Sequence, residues 1–509
     1  MSKDKITRAT FIVAIYTLLG NGIGFVAQVM MAKYFGVTQT MDAFIVASSI
    51  PTIIYGILSG ILISVFVLVF TQYRNTYGLD NAWKFASNMF NLSLPFFIFI
   101  SFLTVIFASP IVKMVAPGFE TESLGLTIKL VRLLSVSIVF VGLRGLTSSI
   151  LYSQGYFAVP TLLNSIMGLS VILLILFLRI RFGIFSLAIG MVVGSFTALL
   201  AQVWALIKNG AKYQLVINLK EPFLKKIIFL SFPVLFTSVF FYLNRLVTQM
   251  IASTLAEGNI AILNYAFNLI SIPALFFAGS ISTAIFPSLT QYATETNWER
   301  LRSTLQSSIK MVSFILIPLT FGIIILRQPL VRILFERGMF DKQATSATAS
   351  ALSFYAIGLF AYGLDPIISR TFYALGKMKI HTFLVFILLL INLSLSLILV
   401  NRYSYNGLAV ATSISYIVVI SISYFILRTN FRDWQDMVLL KSLIKIIIAS
   451  LSMGMILFLT LNLFNPIISI LVAGLSYLLI SQLLRIEELN IGYNIIKRYL
   501  KPCIPYVHE

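Results

Sequence analysis

The chain has 509 residues, 59% of them hydrophobic, only 11% charged, and a net charge of +20. A soluble protein of this size carries about 25% charged residues, and no polar stretch here is long enough to fold alone, so the bilayer is the solvent for most of the chain. Apolar runs of this length and continuity describe helices; barrel strands would be short and alternating. The fold class expected is all-α integral membrane.

In chain order, the polar breaks mark about fourteen spans, near 9–34, 40–70, 84–109, 126–152, 157–179, 183–207, 226–254, 259–290, 303–326, 345–374, 380–400, 405–427, 440–463 and 466–485. The first follows a short basic start (Lys3, Lys5, Arg8) and is too long for a signal-peptide core, so it reads as a retained span. Residues 209–225 form a connector that reads as amphipathic and surface-lying, with Leu215, Val216, Ile217 and Phe223 toward lipid and lysines toward head groups. The end of the chain, 487–509, reads as a tail whose stretch Ile486–Tyr499 is amphipathic or simply solvated. Lys and Arg gather in the loops that share a side with the N-terminus, including Lys208, Lys212, Lys220, Lys225 and Lys226. The expected orientation has both termini in the cytoplasm, although Arg179, Arg181 and the mixed segment Arg327–Lys342 fall on the other side.

About thirty residues occur twice. Residues 151–178 are echoed by 372–399 without a gap: Tyr152, Gly155 and Thr161 answer Tyr373, Gly376 and Thr382, each 221 residues on. Upstream, Ala43-Phe44 and Ser49-Ile50-Pro51 answer Ala266-Phe267 and Ser271-Ile272-Pro273. The reading is an N-terminal six-helix repeat (1–208), a C-terminal six-helix repeat (226–430) and two additional helices (431–486). Six spans per repeat is even, so the pseudo-two-fold runs along the membrane normal, and the substrate site is expected where the repeats meet. Pro51 and Pro273 occupy matching positions, as a shared hinge or as two static kinks.

Several classes of chemistry lack their motifs. There is no P-loop, no H-E-x-x-H and no G-x-S-x-G, and carboxylates are scarce, which argues against an enzyme. One cysteine (Cys503) and two histidines (His381, His508) exclude an intrachain disulfide and a thiolate or His-rich metal site. No basic patch sits on a soluble module, so nucleic acid is not a partner; the positive charge is read as loop asymmetry and attraction to membrane lipids. Ionisable residues inside spans are the best functional pointers, because each is costly in lipid. Arg245 and Arg144 read either as substrate ligands or as structural arginines, tied to backbone or snorkelling. Asp42 reads either as a site residue or as a helix cap. Asp365 and Arg370, five apart, are poorly spaced for a helical pair.

Taken together, these residues resemble the MurJ (MviN) lipid II flippase family. The resemblance is carried by Phe35-Gly36, Asp42-Ala43-Phe44, Ile50-Pro51, Tyr265-Ala266, Ile272-Pro273 and Phe286-Pro287-Ser288-Leu289. It continues in Leu334-Phe335-Glu336-Arg337-Gly338-Met339-Phe340, Tyr355-Ala356 and Phe372-Tyr373-Ala374, and in Gln154-Gly155, Pro160 and Asn164. It implies a fourteen-helix transporter of the multidrug/oligosaccharidyl-lipid/polysaccharide exporter superfamily in the bacterial cytoplasmic membrane. Its substrate would be an undecaprenyl-pyrophosphate-linked glycan, moved to the outer leaflet by alternating access during peptidoglycan synthesis, with cell-envelope synthesis proteins as further partners.

This chain departs from the family where cavity arginines are usual. Asn21, Ala27, Gln28, Tyr55 and Asn268 stand there, so Asn21, Gln28, Tyr55 and Asn268 join Arg144, Arg245 and Asp42 as candidate substrate ligands. The family's sodium position is matched by Asn392 and Thr412, with Ser396 and Asn244 in place of carboxylates: a degenerate cation site. No cofactor is expected, and coupling to the membrane potential or to a monovalent ion is left open. So are two other substrates: a lipid-linked exopolysaccharide or O-antigen unit, and a small molecule exported as by a MATE protein. A membrane scaffold without transport, and a sparse membrane transferase, are the remaining readings.

Overall fold

The structure is a computed structural model, and it describes residues 3–489 apart from 157, 430, 432, 433 and 435. The tail, with Cys503 and His508, therefore lies outside the described residues, as does all but the start of its amphipathic stretch. The regular structure is helical throughout. In order come α1 (Lys3–Phe35), α2 (Gln39–Ile61), a π turn (Leu62–Phe66), α3 (Val67–Tyr77), α4 (Leu79–Ile106), α5 (Ala108–Val115), α6 (Thr121–Ser153), α7 (Ala158–Phe182), α8 (Phe185–Lys208) and α9 (Pro222–Ala252). There follow α10 (Asn259–Pro273), a second π turn (Ala274–Ala278), α11 (Gly279–Thr294), α12 (Trp298–Phe335), α13 (Lys342–Ile357), α14 (Leu359–Ala374), α15 (Met378–Arg428), α16 (Asp436–Leu461) and α17 (Pro466–Leu483).

Among the described residues eleven helices are long and apolar enough to cross a bilayer, or twelve if the pair α13–α14, bent by 47°, is one span. The expected spans 380–400 and 405–427 run together in α15, which is broken only at Ser404 (φ 50, ψ −137). The chain reverses there at a single non-helical residue. Among the apolar helices, α4 and α8 keep a side for each other's neighbours, while Phe99, Phe102, Phe229 and Leu471 are left outward, as lipid-facing side chains should be.

Internal packing divides the chain into two compact units. The first is Met1–Asn264 with Leu334–Ala344; the second is Tyr265–Ile333 with Thr345–Glu509. In the first, α6 packs on α2, α4 and α8, α7 on α1 and α8, and α9 on α2. Lipid tails are as apolar as leucine, so burying hydrophobes does not by itself join helices in a membrane; close backbone approach does. The α7–α8 seam shows this. Gly190 and Gly194, four apart on α8, face Val171 and Met167, and a Cβ at either glycine would stand 2.9 Å from the facing Cα. The end of this unit bearing α3 has an aromatic core of Phe66, Phe70, Phe85 and Trp83. Phe223 joins it edge-on to Tyr73 at 5.0 Å. Expected to face lipid, Phe223 is half-buried: at the first turn of α9 its ring reaches stacked aromatics.

The segment 334–344, which carries the motif Phe335–Phe340, belongs to the first unit rather than to the helix that leads into it. Met339 donates its backbone N–H to the Lys33 carbonyl at 2.8 Å. Phe335 lies 6.1 Å from Phe25 and 5.6 Å from Phe340. Gly338 (φ +63) passes so close to the Lys33 carbonyl that any side chain there would overlap it.

In the second unit α14 packs on α11 and α15, and α16 on α17. Leu305, Ile309, Val312 and Leu316 of α12 form its core with Ile367 and Phe372 of α14. The Tyr477 hydroxyl donates to the Phe314 carbonyl at 2.7 Å and fastens α17 to α12.

Gly338 and Gly183 both have positive φ, but only Gly338 faces a neighbouring backbone. Both alanine variants carry the left-handed penalty of roughly 1–2 kcal/mol. We expect Gly338→Ala to lower the unfolding temperature in detergent clearly more than Gly183→Ala, because only it displaces the Lys33 carbonyl.

Candidate functional site

The first unit brings two of the candidate ligands together. Arg144, on α6, is 4% exposed. Its guanidinium lies over the Tyr55 ring of α2, 5.4 Å from the centroid, and Nη1 donates to the Met167 sulfur of α7 at 3.3 Å. A thioether is a weak acceptor and an aromatic face is not a counter-charge. Arg144 makes no ion pair among the described residues. A buried guanidinium with five donors and one sulfur acceptor is an electropositive point with bonding capacity to spare.

Tyr242 connects this group to Arg245. Tyr242 lies within electrostatic reach of both Arg245 and Tyr55, and its ring fills the space beside Gly56 that any larger residue would occupy. Arg245 follows Tyr242 by three residues, on the same face of α9, and is itself exposed. Tyr152 of α6 completes the aromatic setting, within electrostatic reach of Tyr55 and Arg144. The result is one buried guanidinium at Tyr55, with Tyr242 beside it and the exposed Arg245 within electrostatic reach of Tyr242. Such a place suits a dianionic, bidentate acceptor, because guanidinium stays charged and its fork matches paired oxygens.

The other candidates fall elsewhere. Asn21, on α1, is exposed; Gln28 is half-buried, with a buried Oε1 that has no hydrogen-bond partner. Among the described residues no hydrogen bond joins either to Arg144, but α1 meets α7 at Gly168, beside Met167. Asn268 lies half-buried in the second unit. Asn392, Ser396 and Thr412 do converge there: the Ser396 and Thr412 hydroxyls approach Asn392 Oδ1 at 3.4 and 3.5 Å. All three are neutral. Asn244 belongs to the first unit, buried in α9. No group of three His, Cys, Asp or Glu residues able to hold a metal occurs among the described residues. Arg370 rests on the Phe286 ring, 5.4 Å from its centroid, and makes no pair with Asp365.

Asp42 is a cap, though not of its own helix. Thr38 caps α2, its hydroxyl accepting from Met41 N at 3.3 Å. The Asp42 carboxylate instead accepts from Gly258 N at 2.6 Å and Ala261 N at 2.7 Å, at the start of α10. The local cause is Gly258. Its φ is +84 and a Cβ would collide with Val37, so the position admits only glycine. Glycine has no side chain to cap with, and the first N–H groups of α10 need an acceptor in a place without water. Asp42 supplies one, at the positive end of the helix dipole.

Sequence reasoning missed Tyr242, Tyr152 and Met167. Tyr242 was within reach of it, being three residues before an intramembrane arginine. Met167 and Tyr152 come to Arg144 only through helix packing.

Helices of this number and kind define a polytopic membrane protein. A family model described as "Lipid II flippase MurJ" matches residues 31–476, and the chain belongs to that family. The "Probable lipid II flippase MurJ" of Buchnera aphidicola subsp. Baizongia pistaciae is 26% identical over 488 residues, covering 90% of both chains. That of Rickettsia prowazekii is 28% identical over 80% of this chain and 81% of its own. The solved structure "Lipid II flippase MurJ, inward closed conformation" matches with a TM-score of 0.80 at 28% identity, over 93% of this chain and 98% of that one. A MATE multidrug transporter of the MOP superfamily matches with a TM-score of 0.72 at 16% identity, a likeness of fold alone.

Removing the Asp42 carboxylate leaves two buried N–H groups without acceptors, a loss of roughly 1–3 kcal/mol. We expect Asp42→Ala to lower the unfolding temperature in detergent more than Asp42→Asn, which keeps one acceptor oxygen.

Proposed function

We propose that this protein is a flippase that carries lipid II, an undecaprenyl-pyrophosphate-linked precursor, from the inner to the outer leaflet of the bacterial cytoplasmic membrane. The observation that carries the reading is Arg144: buried, unneutralised and set against Tyr55, with Arg245 reached through Tyr242. A pyrophosphate supplies the missing counter-charge, and the lost hydration of both partners is offset by charge-assisted bonds. Family membership and relatives named as lipid II flippases over most of their length support lipid II over another lipid-linked glycan. The missing family arginines at Asn21, Gln28, Tyr55 and Asn268 leave Arg144 and Arg245 as their functional substitutes. The same reading makes the protein a transporter and not an enzyme.

Movement is alternating access. The bends lie in α2 and α10, where Pro51 and Pro273 free a carbonyl and each helix is interrupted by a π turn, eleven residues after Pro51 and immediately after Pro273. Counting α1, and α15 as two spans divided at Ser404, the helices make fourteen, with both termini in the cytoplasm. The cluster of Asn392, Ser396 and Thr412 is the place for a monovalent ion, if one is coupled.

Depleting the protein from cells should leave newly made lipid II inaccessible to reagents added outside; unchanged accessibility would remove the assignment. A strain lacking its own lipid II flippase should grow when this protein is expressed. Each arginine contributes roughly 1.5–3 kcal/mol through charged hydrogen bonds. The Arg144→Ala/Arg245→Ala double variant, at normal protein level, should therefore lose at least about tenfold of the flipping rate. Full activity would take both residues out of the site.

A further inference from the structure

The connector between α8 and α9 is not helical. Residues 211–218 run along α4 without helix or strand structure, with one tight backbone bond from Val216 N to the Gln214 carbonyl at 3.0 Å, and are held by three polar residues of that helix: Ser87, Asn88 and Asn91, all at least nine-tenths buried. The Asn88 amide treats Asn218 as a neighbouring strand would, accepting from its N–H at 2.7 Å and donating to its carbonyl at 3.0 Å. Asn91 Nδ2 donates to the carbonyls of Gln214 at 3.2 Å and Val216 at 3.0 Å, and Ser87 Oγ accepts from Gln214 N at 3.1 Å. The backbone groups turned to α4 are thus mostly those of even-numbered residues.

An extended backbone alternates its side chains. Here Leu215 and Ile217, and Leu219 in the turn that follows, are 84%, 67% and 70% exposed, and the polar side chains of Gln214 and Asn218 are exposed as well. Val216, expected from the sequence to face lipid, is half-buried. The flanks are basic. Lys220 and Lys225 are exposed without an ion pair, Lys226 donates to Gln72 at 2.8 Å, and Lys212 pairs with Asp80 at 2.6 Å. Both ends of the segment run into membrane spans, so it lies at a bilayer surface by covalent necessity.

We propose that this strip is a membrane-surface anchor: Leu215, Ile217 and Leu219 enter the head-group layer of the adjoining leaflet, and Lys220 and Lys225 bind anionic phospholipid phosphates there. An isolated amphipathic strand would not hold its shape at an interface, having no internal hydrogen bonds. The Asn88 and Asn91 amides supply them, and so keep the apolar row turned to lipid. The anchor does not depend on what the protein transports.

The test uses the full chain with Cys503→Ser and single cysteines at positions 214 to 219, spin-labelled and reconstituted in vesicles of phosphatidylglycerol with phosphatidylcholine. Collision rates with oxygen, which enters lipid, and with a water-soluble nickel chelate give the immersion of each label. The ratio of oxygen to nickel accessibility should alternate, roughly threefold or more higher at 215, 217 and 219 than at 214, 216 and 218. The contrast should shrink in phosphatidylcholine alone and in a Lys220→Gln/Lys225→Gln variant. Water-exposed labels at 215, 217 and 219 in the anionic vesicles overturn the proposal; if they become protected only in native membranes, the strip holds a protein partner instead. A helical period of immersion, or immersion equal in both vesicle types, also overturns it.

Discussion

The start of α10 depends on a carboxylate from another helix. Gly258 must be glycine because Val37 leaves no room for a Cβ, and glycine cannot cap its own helix. Away from water the exposed N–H groups would each cost a kilocalorie or more, so Asp42 reaches across to them. Backbone groups must find partners inside a membrane protein, and this constraint recurs wherever a segment leaves a helix. The connector meets it with Ser87, Asn88 and Asn91, and the motif at 334–344 meets it with the Lys33 carbonyl. Each solution also fixes geometry, because a side chain that satisfies one particular carbonyl or N–H cannot slide to the next.

The arginines pose the opposite problem. Arg144 has been taken out of water and given a ring and a sulfur in place of a carboxylate. A structural arginine in such a place is normally tied to backbone carbonyls or to an acid. Leaving it short of partners makes sense if an anion arrives from outside the protein. Tyr55 then gives the guanidinium an aromatic face in place of a counter-charge.

Asp42 and Arg144 are both ionisable residues in spans, and from the chain alone their roles looked equally open. Tertiary structure separates them. Each Asp42 carboxylate oxygen accepts from a backbone donor, which makes it part of the scaffold. Arg144 is satisfied by no comparable group. The contrast is in the partners, and partners come from helices distant in sequence: α10 for one, α2 and α7 for the other.

What the sequence by itself determined was the all-helical, membrane-spanning character and the rough course of the spans, since the apolar runs and their polar breaks follow from local composition in a solvent that tolerates little else; helix ends such as those of α12 and the junction at Ser404 did not follow from it. It also carried the repeat, the proline positions, the basic loops and the ordered motifs of the family. Only the tertiary structure decided that Phe223 packs edge-on to aromatic rings, that the connector is tied to α4 mostly through even-numbered backbone groups, that 334–344 docks on α1, and that Tyr55, Tyr242 and Arg144 share a place. The physical reason is that helix formation in a bilayer is satisfied within each segment, whereas these contacts depend on which small residues let two helices approach and which buried polar groups then find one another.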